Sequence, residues 1–278
     1  MHPLDQLFYL TSRLEVTLRD GGTATGTGFF YTLHIVGDLS VPILITNRHV
    51  IEDSTELRFA FSEEDGAGGA HATNRHWVTV PDPEKNFISH PDAAVDLVAL
   101  QIGGLTNELQ AAGKPIFYRT FAESMIADLS KEDDFLPIEN VIMIGYPNGL
   151  WDDFNNQPII RRGITATHPI KDYRGKKEFM IDAACFPGSS GSPIMIYEWG
   201  SYAPKTGGIV AGSRFILLGV LFAGPVYTAE GKIEVVDVPT KQVPVAKSRI
   251  PFNLGIAIKA SEILEFKKVI PAPQVVSP

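Results

Sequence analysis

The chain has 278 residues, 44% of them apolar, 20% charged and 10% aromatic, which fits a globular protein and excludes a disordered one. Its formal net charge is −8 with no cluster of Lys and Arg, so nucleic acid is excluded as a main partner, because phosphate binding rests on cationic patches. The single cysteine, Cys185, permits no intrachain disulfide and points to a reducing compartment.

The chain opens on "MHPLDQLFYLTSRLEV", with no basic start, no sustained apolar stretch and no small-residue cleavage site. The expectation is a cytoplasmic protein. Short β-type segments follow, separated by Gly, Pro, Asn and Asp. "RLEVTLRD" (13–20) alternates, and "GGTATGTG" reads as a glycine-rich turn into "FFYTLHIV" (29–36). Next come "VPILITN" (41–47), "ELRFAF" (56–61), "HWVTV" (76–80) and "DLVALQI" (96–102), with 62–74 between two of them as a polar loop. Helical periodicity is confined to 106–113, 121–129 and 259–270, the last with Ser261 as its N-cap. After 139 the strands resume: "VIMIGYP" (141–147), "PIIRRGITAT" (158–167), "EFMIDAA" (178–184), "SPIMIY" (192–197), a long apolar stretch over 208–224, and "LGIAI" (254–258). The run "FILLGVLFAG" (215–224) is about half of what a ~20-residue membrane span needs, so no membrane partner is expected. Long loops are expected at 198–207 and 225–251, and a loose tail at 271–278.

About a dozen strands with few helices predict an all-β protein of barrels or sandwiches. The divisions expected are 1–120 as a first β unit, 121–138 as a connector, 139–270 as a second β unit with a terminal helix, and 271–278 as a tail.

Three segments carry chemistry only in combination. "ILITNRHV" ends an apolar strand on His49, which alone is more often structural than catalytic. "DLVALQI" puts Asp96 at the head of an apolar strand, a place where turn residues are common. "CFPGSSGSPI" (185–194) reads by itself as a Gly/Ser turn. Together they offer an imidazole on a rigid mount, a carboxylate to fix its tautomer, and a serine between two glycines. A serine hydroxyl needs such a base to become a nucleophile, and free backbone N–H groups to hold the oxyanion. Ser190 alone among Ser189, Ser190 and Ser192 lies two residues after one glycine and directly before another. The chain order His, Asp, Ser and the lack of a G-x-S-x-G elbow exclude an α/β-hydrolase esterase.

These segments resemble the chymotrypsin-fold serine proteases, and among them the HtrA/Deg type. "TNRHVIED" is similar to the family's catalytic-His segment, "DLVAL" to its Asp segment, and "IGYPNGL" to its I-G-x-P-x-G-L signature. "IDAACFPGSSGSP" follows its D-A-A-x-x-P-G-x-S-G-x-P pattern, and "NLGIAIKASEI" its last strand and C-terminal helix. The match spreads over about 24–265. The resemblance implies two perpendicular six-stranded antiparallel β-barrels with a short C-terminal helix and a cleft between the barrels. It implies His49 as general base, Asp96 as its orienter and Ser190 as nucleophile, with an oxyanion hole from the N–H groups of Gly188, Ser190 and Ser189. Ala184 and Cys185 fall at the base of the primary specificity pocket, with Phe222, Ala223 and Gly224 along its wall.

No carboxylate appears among those pocket residues, so cleavage after small or medium apolar residues is expected rather than after Lys or Arg. Cys185 is a rival nucleophile ranked below Ser190. Ser192 stands where the family most often has glycine. Ser189 stands where relatives switched on by N-terminal cleavage carry an Asp, so ordering of the oxyanion loop by neighbouring loops or by a partner protein is expected instead. The polar segments 151–157 and 172–177 are the ones expected to move. HtrA-type chains usually continue into a peptide-binding PDZ domain, and this one resembles the catalytic unit alone. No metal and no cofactor are expected, since no Cys, His and carboxylate groups share zinc-like spacing. The substrate is expected to be a protein or peptide, with a regulatory or assembly partner in addition. The alternative is a protease-fold module that binds peptides or partner proteins without turning them over.

Overall fold

A computed structural model of the chain describes residues 2–37, 39–128, 135–224, 226–232, 245–251 and 253–273. The first strand, β1 (Thr11–Leu18), shows what drives the fold: Leu14 and Val16 point into the core while Glu15 and Thr17 point outward. It pairs antiparallel with β2 (Thr23–Val36) and with β4 (Ser54–Glu64). Adding β3 (Leu39–Thr46), β5 (Ala70–Pro81), β6 (Ile88–Ser89) and β7 (Val98–Gln101) gives a path β5-β4-β1-β2-β3-β7-β6. Two-residue strands β8 (Ile116–Phe117) and β9 (Phe121–Ala122) attach to β4 and β2, making nine strands in all. The expected six correspond to the longer strands; β6, β8 and β9 are short additions to them.

The second unit is a closed six-stranded antiparallel barrel. Its strands are β10 (Asn140–Gly145), β11 (Ile159–Thr165), β12 (Glu178–Asp182), β13 (Pro193–Glu198), β16 (Arg214–Ala223) and β19 (Leu254–Lys259), in the order β10-β11-β12-β19-β16-β13. Outside the barrel, β14 (Ser201–Tyr202) pairs with β15 (Val210–Ala211), and β17 (Val226–Lys232) pairs with β18 (Val245–Pro251). The fold is all-β, as the strand spacing predicts.

Each unit has its own apolar core, and a third core joins them. Phe29, Tyr31, Ile43, Ile45 and Leu97 from the first sheet meet Ile144, Met195, Leu217 and Val220 from the barrel. The terminal helix, Ala260–Lys268, is of the 3-10 type and inserts Ile263 and Phe266 into this shared core, both 0% exposed. Each such side chain contributes roughly 2–3 kcal/mol on burial, so the helix locks the two units together.

Several expectations need correction. The glycine-rich stretch is not a turn as far as Gly28: the turn covers Gly21 and Gly22, and β2 begins at Thr23. Gly26 lies within the strand because a Cβ there would come 2.5 Å from Val50 Cγ1. The polar loop at 62–74 is mostly a hairpin; β4 runs to Glu64, β5 starts at Ala70, and Asp65 closes the turn by accepting N–H bonds from Ala67 and Gly69. The helix expected over 121–129 is replaced by β9 and a 3-10 turn, Glu123–Met125, because Phe121 pairs with Tyr31 and its ring meets Phe29 edge-on. Lys259, not Ser261, caps the terminal helix. The loop expected at 225–251 holds the β17–β18 hairpin, with 233–244 outside the described residues, as are 274–278 of the expected tail.

Candidate active site

His49 is mounted where β3 ends. Its last residue, Thr46, donates through Oγ1 to Thr27 O at 2.8 Å, and the chain then turns into a four-residue helix, Arg48–Ile51. Val50 of that helix packs against the glycine face of β2, which holds His49 close to the sheet. Asp96 sits two residues before β7, in a loop held by two first-unit side chains. Asn47 Nδ2 donates to Asp96 O at 2.9 Å, and Arg48 Nη1 donates to Ala93 O at 2.9 Å.

The carboxylate of Asp96 is used at both oxygens. Oδ1 accepts from the His49 backbone N–H at 3.1 Å, and Oδ2 lies 2.5 Å from His49 Nδ1. An ionised carboxylate can only accept, so Nδ1 carries the proton and the lone pair of Nε2 is left facing out. The exposures agree: the Asp96 side chain is 17% exposed and that of His49 42%. The arrangement is a proton acceptor with a fixed ring and a fixed tautomer.

The serine loop is pinned to the first sheet through its main chain. Thr27 N donates to Ser190 O at 2.9 Å, and Thr27 Oγ1 donates to Gly188 O at 3.0 Å. Gly191 N donates to Leu221 O at 2.8 Å and Leu221 N to Ser192 O at 2.9 Å, so β16 holds the other side. Two glycines make the turn possible. Gly188 has φ +82° and a Cβ there would meet Tyr146 O at 2.6 Å; Gly191 has φ +86° and its Cβ would meet Thr27 O at 1.9 Å.

Of the three amides expected to face an oxyanion, Gly188 N and Ser190 N make no hydrogen bond among the described residues. Ser189 N is committed, donating to Phe186 O at 3.0 Å to close the turn. That expectation is therefore reduced to two donors in this conformation. Among the described residues no hydrogen bond joins the Ser190 hydroxyl to the His49 ring. Ser192 is 0% exposed, with its hydroxyl in the space that a Cβ on Gly145 would need. Its small size is what lets β10 and β13 close up there.

Of the expected pocket residues, Cys185 and Gly224 lie side by side. A Cβ on Gly224 would lie 3.8 Å from Cys185 Cβ, and one on Gly255 would meet Cys185 Sγ at 2.6 Å, so the thiol packs onto β19. Burial pushes the Cys185 thiol up to about 11; Arg161 lowers it somewhat and Asp182 raises it. It is a thiol at neutral pH and a poor nucleophile. Farther along the cleft, Asp96, Lys176, Phe222 and Glu262 line a cavity of about 260 Å³. The polar segments 151–157 and 172–177 each make hydrogen bonds to the rest of the chain. Arg75 Nη2 donates to Asp153 O at 2.7 Å, Asn156 Nδ2 to Ser62 Oγ at 3.0 Å, and Lys259 Nζ to Asp172 Oδ1 at 2.5 Å.

Arg161 and Thr27 escaped the sequence reading. Arg161, on β11, donates through Nη1 to Ala184 O and through Nη2 to Ser189 Oγ at 2.9 Å. Its signal, one of two arginines in an alternating strand, does not say which one turns inward. Among the described residues no three His, Cys, Asp or Glu side chains are placed to hold a metal ion, and no helix is long and apolar enough to cross a membrane.

With this geometry in view, comparison with known families is decisive. Residues 26–200 match the model of the trypsin-like peptidase domain. The chain belongs to the trypsin-like peptidase family. Its fold is also that of a solved HtrA-type protease. The HtrA-type protease AlgW with tripeptide matches over 96% of this chain and 62% of its own, at 15% identity and a TM-score of 0.51. This chain thus spans less than two thirds of that protein. The Rv3671c protease from M. tuberculosis, in its active form, matches over 99% of this chain and 86% of its own, at 14% identity and a TM-score of 0.47. No curated protein matches the sequence.

Proposed function

We propose that this trypsin-like peptidase cleaves proteins or peptides through His49, Asp96 and Ser190. The observation that carries the reading is the Asp96–His49 pair, held at both carboxylate oxygens, together with the Gly188 and Ser190 amides, which make no hydrogen bond among the described residues. His49 Nε2 takes the Ser190 proton as Oγ attacks the scissile carbonyl. The carbonyl oxygen becomes an oxyanion held by the two amides, each worth roughly 3 kcal/mol. The imidazolium, stabilised by Asp96, returns its proton to the leaving amine, and an acyl-enzyme remains. Water then repeats the cycle with the acyl group as target, releasing the acid and restoring the serine.

For the primary pocket we propose small or medium apolar residues. Ala184, Phe222 and Ala223 offer no carboxylate for a cation, the thiol of Cys185 closes the floor against Gly255, and the guanidinium of Arg161, bound to the Ala184 carbonyl, repels a basic side chain. The substrate groove continues toward Phe222 and Lys176, where a regulatory partner can also approach.

Labelling with a fluorophosphonate probe tests the central claim. The native chain should be modified once, at Ser190, and Ser190→Ala should not be modified at all. An unlabelled native chain would favour a protease-fold module that binds without turnover. Profiling against a peptide library should give apolar residues before the cut; a profile dominated by Lys and Arg would refute the pocket assignment.

A further inference from the structure

The oxyanion loop is gripped from outside by a cation that has no carboxylate partner among the described residues. Arg161 lies on β11, opposite Met143, and its guanidinium reaches two points of the segment that leads to the nucleophile. One N–H group binds the carbonyl of Ala184 and another binds the hydroxyl of Ser189 at 2.9 Å. Between these points lie Phe186, Pro187 and Gly188, whose path sets the direction of the Gly188 and Ser190 amides. Among the described residues no carboxylate pairs with Arg161, and its Nε is buried without a partner. Burial pulls the guanidinium below its ordinary pKa, with the field of Cys185 opposing that shift. A methionine or leucine would fill such a site without desolvating a charge. What neither could do is hold two oxygens five residues apart, for which the planar fork of arginine is suited.

We propose that Arg161 is the positioning residue that sets the oxyanion loop, so that the two free amides are aligned by the chain itself and neither a cut N-terminus nor a partner is needed to order them. The inference rests on the serine-endopeptidase reading above. It goes beyond it by placing the ordering element inside the barrel, on β11. Ser189 is the receiving group, at the place where cleavage-activated relatives carry an acid. The remaining ties of the loop act in the same sense: Asn148 N donates to Pro187 O at 2.6 Å, and Thr27 Oγ1 to Gly188 O at 3.0 Å.

The test compares Arg161→Ala, Arg161→Lys and Ser189→Ala with the native full chain. Arg161→Ala should lower kcat by 100-fold or more and change KM less than threefold. Added guanidinium ion, at concentrations that leave the native enzyme unaffected, should restore at least tenfold of that loss. Arg161→Lys, which can reach only one oxygen at a time, should fall between, and Ser189→Ala should lose about tenfold. Amide exchange measures the same ordering without relying on turnover: exchange over 185–191 should quicken at least tenfold in Arg161→Ala while that of β2 and β10 stays as in the native chain. Native-like kcat in Arg161→Ala, or unchanged exchange over 185–191, overturns the proposal. So does a loss of activity accompanied by faster exchange throughout both units, the mark of general unfolding. If the native chain fails to label with fluorophosphonate but Arg161→Ala still loosens 185–191 alone, the positioning role stands and the protease reading falls.

Discussion

Replacing Asp96 with Asn tests the site at its most constrained point. The two carboxylate oxygens serve two donors, the His49 backbone N–H at 3.1 Å and His49 Nδ1 at 2.5 Å. An amide has one acceptor for the two. If its oxygen goes to the ring, its NH2 faces the backbone N–H, and that hydrogen bond is lost at a cost of roughly 0.5–1.5 kcal/mol. If its oxygen goes to the backbone, its NH2 faces Nδ1, which must then accept. The ring proton moves to Nε2 and the base is lost. The second arrangement wins, because a ring changes tautomer more cheaply than a backbone moves. Loss of the carboxylate charge beside the imidazolium removes a further ~2–4 kcal/mol at an effective dielectric near 20. With the cost of the first arrangement as the bound on the tautomer change, the two effects sum to about 2.5–5.5 kcal/mol, or roughly 10²–10⁴ in kcat, whose upper end is the size known for this kind of triad. The assay is kcat on a chromogenic peptide with protein concentration fixed by absorbance, with melting temperature as a control for folding. A loss below tenfold in a folded Asp96→Asn protein would refute the argument.

Two further outcomes follow from groups outside the triad. Because burial lifts Cys185 to about 11, only roughly 0.03% of it is thiolate at pH 7.5, so the folded chain should resist iodoacetamide and Cys185→Ala should keep kcat within about threefold; rapid alkylation at pH 7.5 with loss of activity would contradict this. Asp172 is held below the usual carboxylate range, first by its hydrogen bond from Lys259, so its contribution to stability is present above the unfolded value near 3.9 and is lost as pH falls through the lower folded value. Asp172→Asn should therefore melt earlier than the native chain at pH 7, by about 1–2 kcal/mol after allowance for solvent screening, and the gap should close toward pH 2.5; an equal gap at both pH values would refute the pairing.

The pairing of His49 with Asp96 was readable because each is written in a local pattern: an apolar run that stops at His49, and another that starts after Asp96. The second barrel was readable for the same reason, since its strands are short apolar runs between glycines and prolines. Long-range effects were not readable. Gly26 looks like a turn glycine until Val50, far along the chain, is packed against it. Phe121 belongs to a sequence with helical spacing, yet pairing with Tyr31 draws it into a strand, a case of tertiary contact overriding local preference. The Ser189 amide looked available because a sequence does not reveal a turn hydrogen bond to Phe186 O. Arg161 was hidden because the pattern "IIRRGIT" does not say which arginine meets a loop that begins 23 residues later.

Thr27 receives the nucleophile's loop from 161 residues downstream, and this has a consequence for how the chain is made. Synthesis delivers β2, β3 and the His49–Asp96 pair well before the serine, and N-terminal units generally fold first. A newly made first unit therefore holds a finished base with nothing to activate, and Thr27 has an idle donor. On the proposed mechanism, the site is complete only when the late segment docks on that donor. The strand that receives the loop thus acts as a template on which the last part of the machinery is set, and the nascent chain is harmless to its neighbours until then.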